Sequence, residues 1–231
     1  MYMKKIGIIF AMEEELDAFL EKVEKYRKKK IFDLTFYQCQ YLDKELVLVE
    51  SGVGKVNAAR STQMLIDHMK VDTVFNIGVA GAVDKDVSVL DVVIGESLVQ
   101  HDFDITVFQH EKGFIPNIGS VYIPADEELV QLAQTIETES TVHTGVIGSG
   151  DIFCSEKAMG EKICRKFNAL CVEMEGASIA QVCFLCKVPF LVIRSISDSL
   201  EVDNNQFTYE EFLEISSKRA ADYLDKLIQR M

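Results

Sequence analysis

Proline and glycine are too scarce in this chain to build a linker: three prolines and 13 glycines are spread over 231 residues. No repeat or low-complexity tract appears either, so one domain covering residues 1–231 is expected. Cations are also in short supply. Lys and Arg total 24 against 37 Asp and Glu, a formal charge of −13, and a surface of that sign repels phosphate backbones and anionic lipid heads. Nucleic acid and membranes are therefore not expected partners. No apolar run approaches the roughly 20 residues of a membrane-spanning helix. The amino end has only seven apolar or small residues between Lys5 and Glu13 and no small-residue cleavage pattern, so a cytoplasmic protein is expected. Metal-ligand spacing is missing as well. The four histidines stand apart at 68, 101, 110 and 143, and most of the six cysteines lie inside apolar runs. Cys183-Phe-Leu-Cys186 has redox spacing but falls in a predicted helix whose apolar face it extends, so buried reduced thiols are expected. His101, Asp102 and Asp104 have no further ligand of matching type nearby. Loop or interface hydrogen bonding is the expectation there, with no metal and no cofactor.

What the chain does have is acid at the ends of apolar runs. In Val172-Glu173-Met174-Glu175-Gly176-Ala177 an extended backbone puts Glu173 and Glu175 on one face and Met174 on the other. The apolar positions Ala177, Ile179, Ala180, Val182, Cys183 and Leu185 then predict a buried helix, stopped by Pro189. The next apolar run, Phe190 to Ile193, leads into Arg194-Ser195-Ile196-Ser197-Asp198. Strand, helix and strand at this spacing predict one right-handed βαβ unit with two parallel strands, whose carboxyl ends share a sheet edge. Ligands of open α/β sheets bind at such an edge, so Glu173, Glu175 and Asp198 are expected to meet over one crevice.

The remaining runs fit the same scheme. Lys4 to Phe10 predicts a strand that enters a helix at Ala11-Met12-Glu13-Glu14-Glu15; three acids in a first turn also suit the helix dipole on their own. Lys25 to Lys30 reads as a solvated helix end and loop. Strand-like stretches at 32–41 and 45–50 flank Asp43-Lys44 as a hairpin, which makes the sheet mixed. Ser51-Gly-Val-Gly-Lys55 opens a helix carrying Val56, Ala59, Met64, Leu65 and Met69. Its spacing matches neither nucleotide fingerprint, and Gly52 and Gly54 are expected to allow a sharp turn and a close approach. Val71 to Ile77 predicts a buried strand ending in a small-residue corner, Gly78-Val79-Ala80-Gly81-Ala82, against which a flat ligand could lie. After a strand at 90–99, residues 101–120 form a long irregular segment of the kind that is usually functional or covers a partner. A helix at 126–137 and a strand at 141–149 deliver Gly148 to Cys154 to the crevice. There Asp151 is expected to cap the following helix, and Phe153 either stacks on a ligand ring or plugs the core. A closing helix from 207 to 231 is expected to turn Phe212, Ile215, Ala220, Tyr223 and Leu227 inward.

Five of these blocks in order, Ala11-Met-Glu-Glu-Glu15, Ser51-Gly-Val-Gly-Lys55, Ser149-Gly-Asp-Ile-Phe153, Val172-Glu-Met-Glu-Gly-Ala177 and Arg194-Ser-Ile-Ser-Asp198, resemble the bacterial 5′-methylthioadenosine/S-adenosylhomocysteine nucleosidases. The resemblance covers essentially the whole chain. It implies an α/β fold of the nucleoside phosphorylase type, three-layer α/β/α around a mixed, partly closed central sheet, and a homodimer acting on a small-molecule nucleoside. By resemblance Asp198, held by Ser197, is the general acid on adenine N7, Glu15 activates the attacking water, and Glu175 holds the ribose hydroxyls. The same resemblance puts Phe153 and Cys154 at the adenine, Met174 at the ribose, and Glu173 and Arg194 in support. Met12, Val53 and Tyr209 would line the 5′-alkylthio slot, with Ile105, Phe108 and Pro116 reaching in from a second subunit. Two positions depart from the family pattern: Val79 stands where Ser is common, which puts the placement of the water in question, and Leu90 where Gly is common. Three other activities compete. A purine nucleoside phosphorylase typically has Arg-x-Gly-Ser where this chain has Asn76-Ile-Gly-Val79; an aminofutalosine nucleosidase shares the motifs; a non-catalytic nucleoside-binding protein would be expected to lack one of the carboxylates.

Overall fold

The computed structural model describes residues 4–199 and 205–231, with side chains for 4–199 and from 212 onward. In chain order the elements are β1 (Lys5–Phe10), α1 (Glu13–Leu20), β2 (Arg27–Ile31), β3 (Leu34–Tyr41), β4 (Lys44–Glu50) and α2 (Lys55–Met64), the last running on into a π-helical turn over Leu65–Met69. Then come β5 (Thr73–Ala82), β6 (Val92–Gln100), β7 (Ile123–Pro124), α3 (Glu127–Gln134), β8 (Val142–Ser149), α4 (Lys157–Phe167), β9 (Ala169–Glu173), α5 (Gly176–Cys186), β10 (Phe190–Ser199) and α6 (Asn205–Arg230).

The strands join in the order β10-β6-β8-β9-β5-β1-β4-β3-β2, with β7 on β6, and β10 pairs a second time with β5. That second pairing closes β5, β10, β6, β8 and β9 into a five-stranded barrel, and β1, β4, β3 and β2 extend from it as an open wing. Strands buried on both faces need no polar alternation, which is why β1, β5 and β10 read as continuous apolar runs. Side-chain parity still divides their neighbours. Ile6, Ile8 and Phe10 of β1 pack in one core with Leu16 and Phe19 of α1, Leu129 and Ala133 of α3, and Leu224 and Leu227 of α6. Ile9 points the other way, into a core with Ala58 and Met64 of α2 and Ile179, Ala180 and Cys183 of α5. The fold is thus helices, mixed sheet, helices.

The predicted parallel βαβ unit is not formed. β10 is parallel to β5, but β9 is antiparallel to β5 and parallel to β8, and β6 is antiparallel to β10. Two parallel sets therefore run toward each other, β1, β5 and β10 from one side and β6, β8 and β9 from the other. Their carboxyl ends meet at a short seam, Gly81 opposite Val172 and Ala82 opposite Cys171, prolonged by the Val83 and Asp84 amides, which donate to the Leu170 carbonyl.

Other expectations are revised. Residues 27–31 form the edge strand β2 rather than a helix end: Lys28 lies over the rings of Tyr26 and Tyr37, at 5.8 and 4.9 Å, and a row of basic residues suits an edge that must resist pairing with other chains. The 78–82 corner is the unbroken end of β5. Ile215 and Val56 face outward, at 46% and 79% exposure. Leu90, in place of a common Gly, sits at φ +73°, a left-handed conformation that costs a side-chain-bearing residue about 1–2 kcal/mol. Its amide donates to Ile196 O at 2.8 Å, bracing β10 shortly before Asp198. No disulfide joins any of the six cysteines. Among the described residues no group of acids, His and Cys could hold a metal ion, and no helix is long and apolar enough to cross a membrane.

Candidate active site

Where the strand ends meet, a cleft opens, lined by residues of β5, β9, β10, the start of α1 and the loops after β4 and β8. Glu15, on the first turn of α1, is 4% exposed. Its Oε2 accepts from the Ala11 and Met12 amides at 2.8 and 3.3 Å, and Oε1 accepts from the Val79 amide at 3.0 Å. Both readings of the acidic turn hold in part: Glu13 and Glu14 are solvated, whereas Glu15 closes its own helix start and also reaches β5. The Val79 contact comes from the backbone, so the missing Ser hydroxyl leaves it intact.

Glu173 and Arg194 form a buried ion pair behind the cleft. Glu173 also accepts from Ser149 Oγ and from the Glu175 and Gly176 amides, the latter at 3.1 and 2.7 Å. Arg194 also donates to Asn76 Oδ1 and to Ile193 O. Glu175 is the N-cap residue of α5, with no capping hydrogen bond from its side chain, and takes the Gly54 amide on Oε1 at 2.8 Å. Asp198 is 3% exposed, and its Oδ1 accepts from Ser197 Oγ at 2.8 Å.

Burial sets the proton balance. With little water to solvate a charge, burial alone pushes Asp198 up to about 6, opposed by the Ser197 hydrogen bond. Glu175 is pushed up to about 8, first by burial and then by the charge of Glu173, against the pull of Arg194 and the Gly54 amide. Glu15 is raised too, by burial, with Arg194 and three amides opposing. Burial works against the charge of Arg194, but Glu173, Glu175 and Glu15 outweigh it. One guanidinium therefore serves several acids, and the carboxyls that face the cleft are held above the ordinary carboxylate range.

The small residues of β5 have a second use besides lining the cleft, as Val79, Ala80 and Gly81 do: a Cβ on Gly78 would run into the Glu15 carboxylate, and one on Gly81 would stand 2.8 Å from Asp198 Oδ2. Gly81→Ala is expected to displace Asp198 and lower kcat by about a hundredfold, the scale of a misplacement near 1 Å; wild-type kcat would contradict this placement.

Met12, Glu15, Val53, Val79, Phe153, Cys154, Glu173, Met174, Glu175, Ser197 and Asp198 all line the cleft, and Arg194 stands behind it. Phe153 is 45% exposed at the mouth, free of the core. Ile105, Phe108 and Pro116 are not among the lining residues, and Phe108 is 72% exposed. Tyr209 falls in the stretch of α6 whose side chains lie outside the described residues. Asp151 does not cap α4, which starts after Glu156; it accepts instead from the Lys55 amide at the start of α2. Sequence reasoning missed the use of Asn76 and Ser149 as holders of Arg194 and Glu173. Ser149 was visible as the first residue of a quoted block, whereas Asn76 was read only as an absent arginine.

Comparison with known proteins gives a consistent result. Residues 5–229 match the phosphorylase superfamily. The chain is 39% identical to the 5′-methylthioadenosine/S-adenosylhomocysteine nucleosidase of Staphylococcus carnosus, over 98% of this chain and 100% of that protein. It is 35% identical, with a TM-score of 0.95 and full coverage of both chains, to the crystal structure of the Helicobacter pylori 5′-methylthioadenosine/S-adenosylhomocysteine nucleosidase with butyl-thio-DADMe-Immucillin-A. A structure described as the futalosine hydrolase of Helicobacter pylori strain 26695 has a TM-score of 0.94 at 35% identity, covering 99% of this chain and 98% of that one.

Proposed function

Since the chain belongs to the phosphorylase superfamily, among its 5′-methylthioadenosine/S-adenosylhomocysteine nucleosidases, we propose that residues 1–231 form a single nucleoside-hydrolase domain in which Glu15, Glu175 and Asp198 divide the chemistry. The enzyme is a purine nucleosidase that hydrolyses the N-glycosidic bond, releasing adenine and a 5-thioribose product. Breaking that bond leaves positive charge on the ribose and negative charge on the base, and each carboxyl answers one need. Asp198, whose pKa burial raises to about 6, protonates adenine N7 as the bond lengthens; Ser197 fixes its orientation. Glu175 bonds the ribose hydroxyls, and the positive charge that develops on the sugar draws the raised carboxyls of Glu175 and Glu15 toward their ionised forms, which then stabilise it. Glu15, locked by three amides, orients a water on the far face of the sugar and takes its proton. Phe153 and Cys154 receive the base, Met174 lies against the ribose, and Met12, Val53 and Tyr209 receive the 5′ group. Glu173 and Arg194 hold the acids in register.

The observation that carries hydrolysis over phosphorolysis is Asn76. This residue is 1% exposed, and its amide bonds both Arg194 and the Ile9 carbonyl, the latter at 3.0 Å. A phosphate-binding arginine at 76 would be set against Arg194, and the Glu15 carboxylate beside it would repel phosphate. Purified protein is expected to release free adenine from 5′-methylthioadenosine in phosphate-free buffer. Turnover that appears only after phosphate or arsenate is added would overturn the reading.

Competition between 5′-methylthioadenosine, S-adenosylhomocysteine and 6-amino-6-deoxyfutalosine in the same assay ranks the substrates. We further propose a cytoplasmic homodimer in which Ile105, Phe108 and Pro116 close the 5′ slot of the neighbouring subunit. The outward Val107 and Phe108, at 82% and 72% exposure, support this interface, and six cysteines without a disulfide suit a reducing compartment.

A further inference from the structure

Glu173 has several protein donors, but among the described residues the Gly54 amide is the one donor to the Glu175 carboxylate, at 2.8 Å. That amide belongs to a residue at φ +102°, where a Cβ would lie 3.3 Å from Asp151 Oδ1. The next amide, Lys55 N, donates to the same Asp151 oxygen at 2.8 Å. The Lys55 ammonium then donates to Asp102 Oδ1 at 2.6 Å and to Gln100 Oε1 at 3.2 Å, and lies 3.9 Å from Asp151 Oδ2. Asp102 Oδ2 in turn accepts from the Asp151 amide at 2.9 Å. Gln100 Nε2 donates to Gln181 Oε1 at 2.6 Å, which returns the circuit to α5, the helix whose N-cap residue is Glu175.

We propose that Lys55, Asp102 and Asp151 form a positioning clamp for Glu175, pressing the Gly54 amide onto Oε1 so that the opposite oxygen is turned to the sugar hydroxyls of the nucleoside. The proposal rests on the reading of Glu175 as the sugar-binding carboxylate. None of the three clamp side chains lines the cleft, so they act through Glu175 and not on the substrate. The geometry suits the task. Lys55 and Asp102 side chains are only 16% and 20% exposed, and a part-buried pair with both carboxylate oxygens engaged holds its shape better than a solvated one. Asp102 also stays ionised: burial pushes its carboxyl up, but the Lys55 ammonium and the Asp151 amide together hold it below the ordinary range. The clamp further ties three separate segments, the start of α2, the end of β6 and the loop after β8, into one support for a single carboxylate.

The test compares kcat/KM for 5′-methylthioadenosine with that for its 2′,3′-dideoxy counterpart. Lys55→Met is expected to lower the value for the riboside about tenfold, mainly through KM, and to change the dideoxy value less than about twofold, since one charge-assisted hydrogen bond to the sugar is weakened. Asp102→Asn, which removes charge without changing shape, is expected to show the same pattern, and Lys55→Arg to restore most of the loss. On a Glu175→Gln background, Lys55→Met is expected to add no further discrimination. A parallel fall on both nucleosides, or no fall on either, overturns the clamp. Glu175→Gln with its preference for the riboside intact overturns the sugar role of Glu175 itself, which separates failure of the underlying reading from failure of the clamp.

Discussion

Asp198→Asn is expected to lower turnover of 5′-methylthioadenosine by roughly 10²- to 10⁴-fold, the range of a lost general acid, while binding of a substrate analogue survives. Asn keeps the shape and accepts from Ser197 Oγ as Asp198 Oδ1 does, but it has no proton to give. Because burial holds the wild-type carboxyl up at about 6, removing it relieves a cost in the folded state. The variant is therefore expected to melt no lower than wild type, a separation of activity from stability found where a site is built for function. The pH dependence follows from the direction of the shift. An acid catalyst works in its protonated form, and a raised pKa extends that form to higher pH, so kcat/KM, which reports the free enzyme, is expected to fall as pH rises through about 6. Bound adenine excludes water from Asp198, so the corresponding limb of kcat should lie higher. Near-normal turnover in the variant, or a kcat/KM profile flat through this window, would remove Asp198 from its role.

Arg194→Met carries the largest expected loss of stability. The guanidinium is 1% exposed and its partner Glu173 is buried beside it. The pair as a whole adds little to stability, since desolvating two charges offsets most of their attraction. Removing one partner strands the other, which costs about 3–5 kcal/mol. In a chain of this size that is a fall in melting midpoint of roughly 10 °C. Glu15 and Glu175 lose the attraction of the same guanidinium at one stroke, so activity is expected to fall as well. Adding Glu173→Gln should recover part of the stability, because the stranded charge is gone. If Arg194→Met alone melts like wild type, the buried pair is not what holds the acids in place.

How far the sequence could be read depended on whether each signal was local. Strands buried on both faces appear as apolar runs, so β1, β5, β8 and β10 were legible, and the acids at their ends could be expected to converge. Strand direction was not. A strand-helix-strand pattern looks the same whether its strands lie side by side or are parted by others. Here β6 and β8 separate β9 from β10 on one side of the ring and β5 on the other, so the acids converge because opposed sets of strands collide, not because two strands run abreast. The basic run before Ile31 carries no apolar period, since an edge strand with solvent on both faces needs none, and its ladder with β3 (Arg27 with Gln38, Lys29 with Phe36) appears only in three dimensions. Asp151 is expected from its position to cap the helix that follows it, but it takes the first amide of a helix that starts 96 residues earlier in the chain, beyond any local pattern. The corner at Gly78 and Gly81 reads as a surface for a flat ligand; that the Glu15 and Asp198 carboxylates also stand over these glycines appears only in three dimensions.

The two-rung join between Gly81 and Val172 has a mechanical meaning. It is the thinnest point of the hoop, and it lies under the cleft, with Asp198 registered against Gly81 on one flank and Glu173 following Val172 on the other. A ligand held from both flanks is expected to fasten the hoop across this narrow join, so that amide exchange at Gly81 and Val172 slows when the cleft is filled.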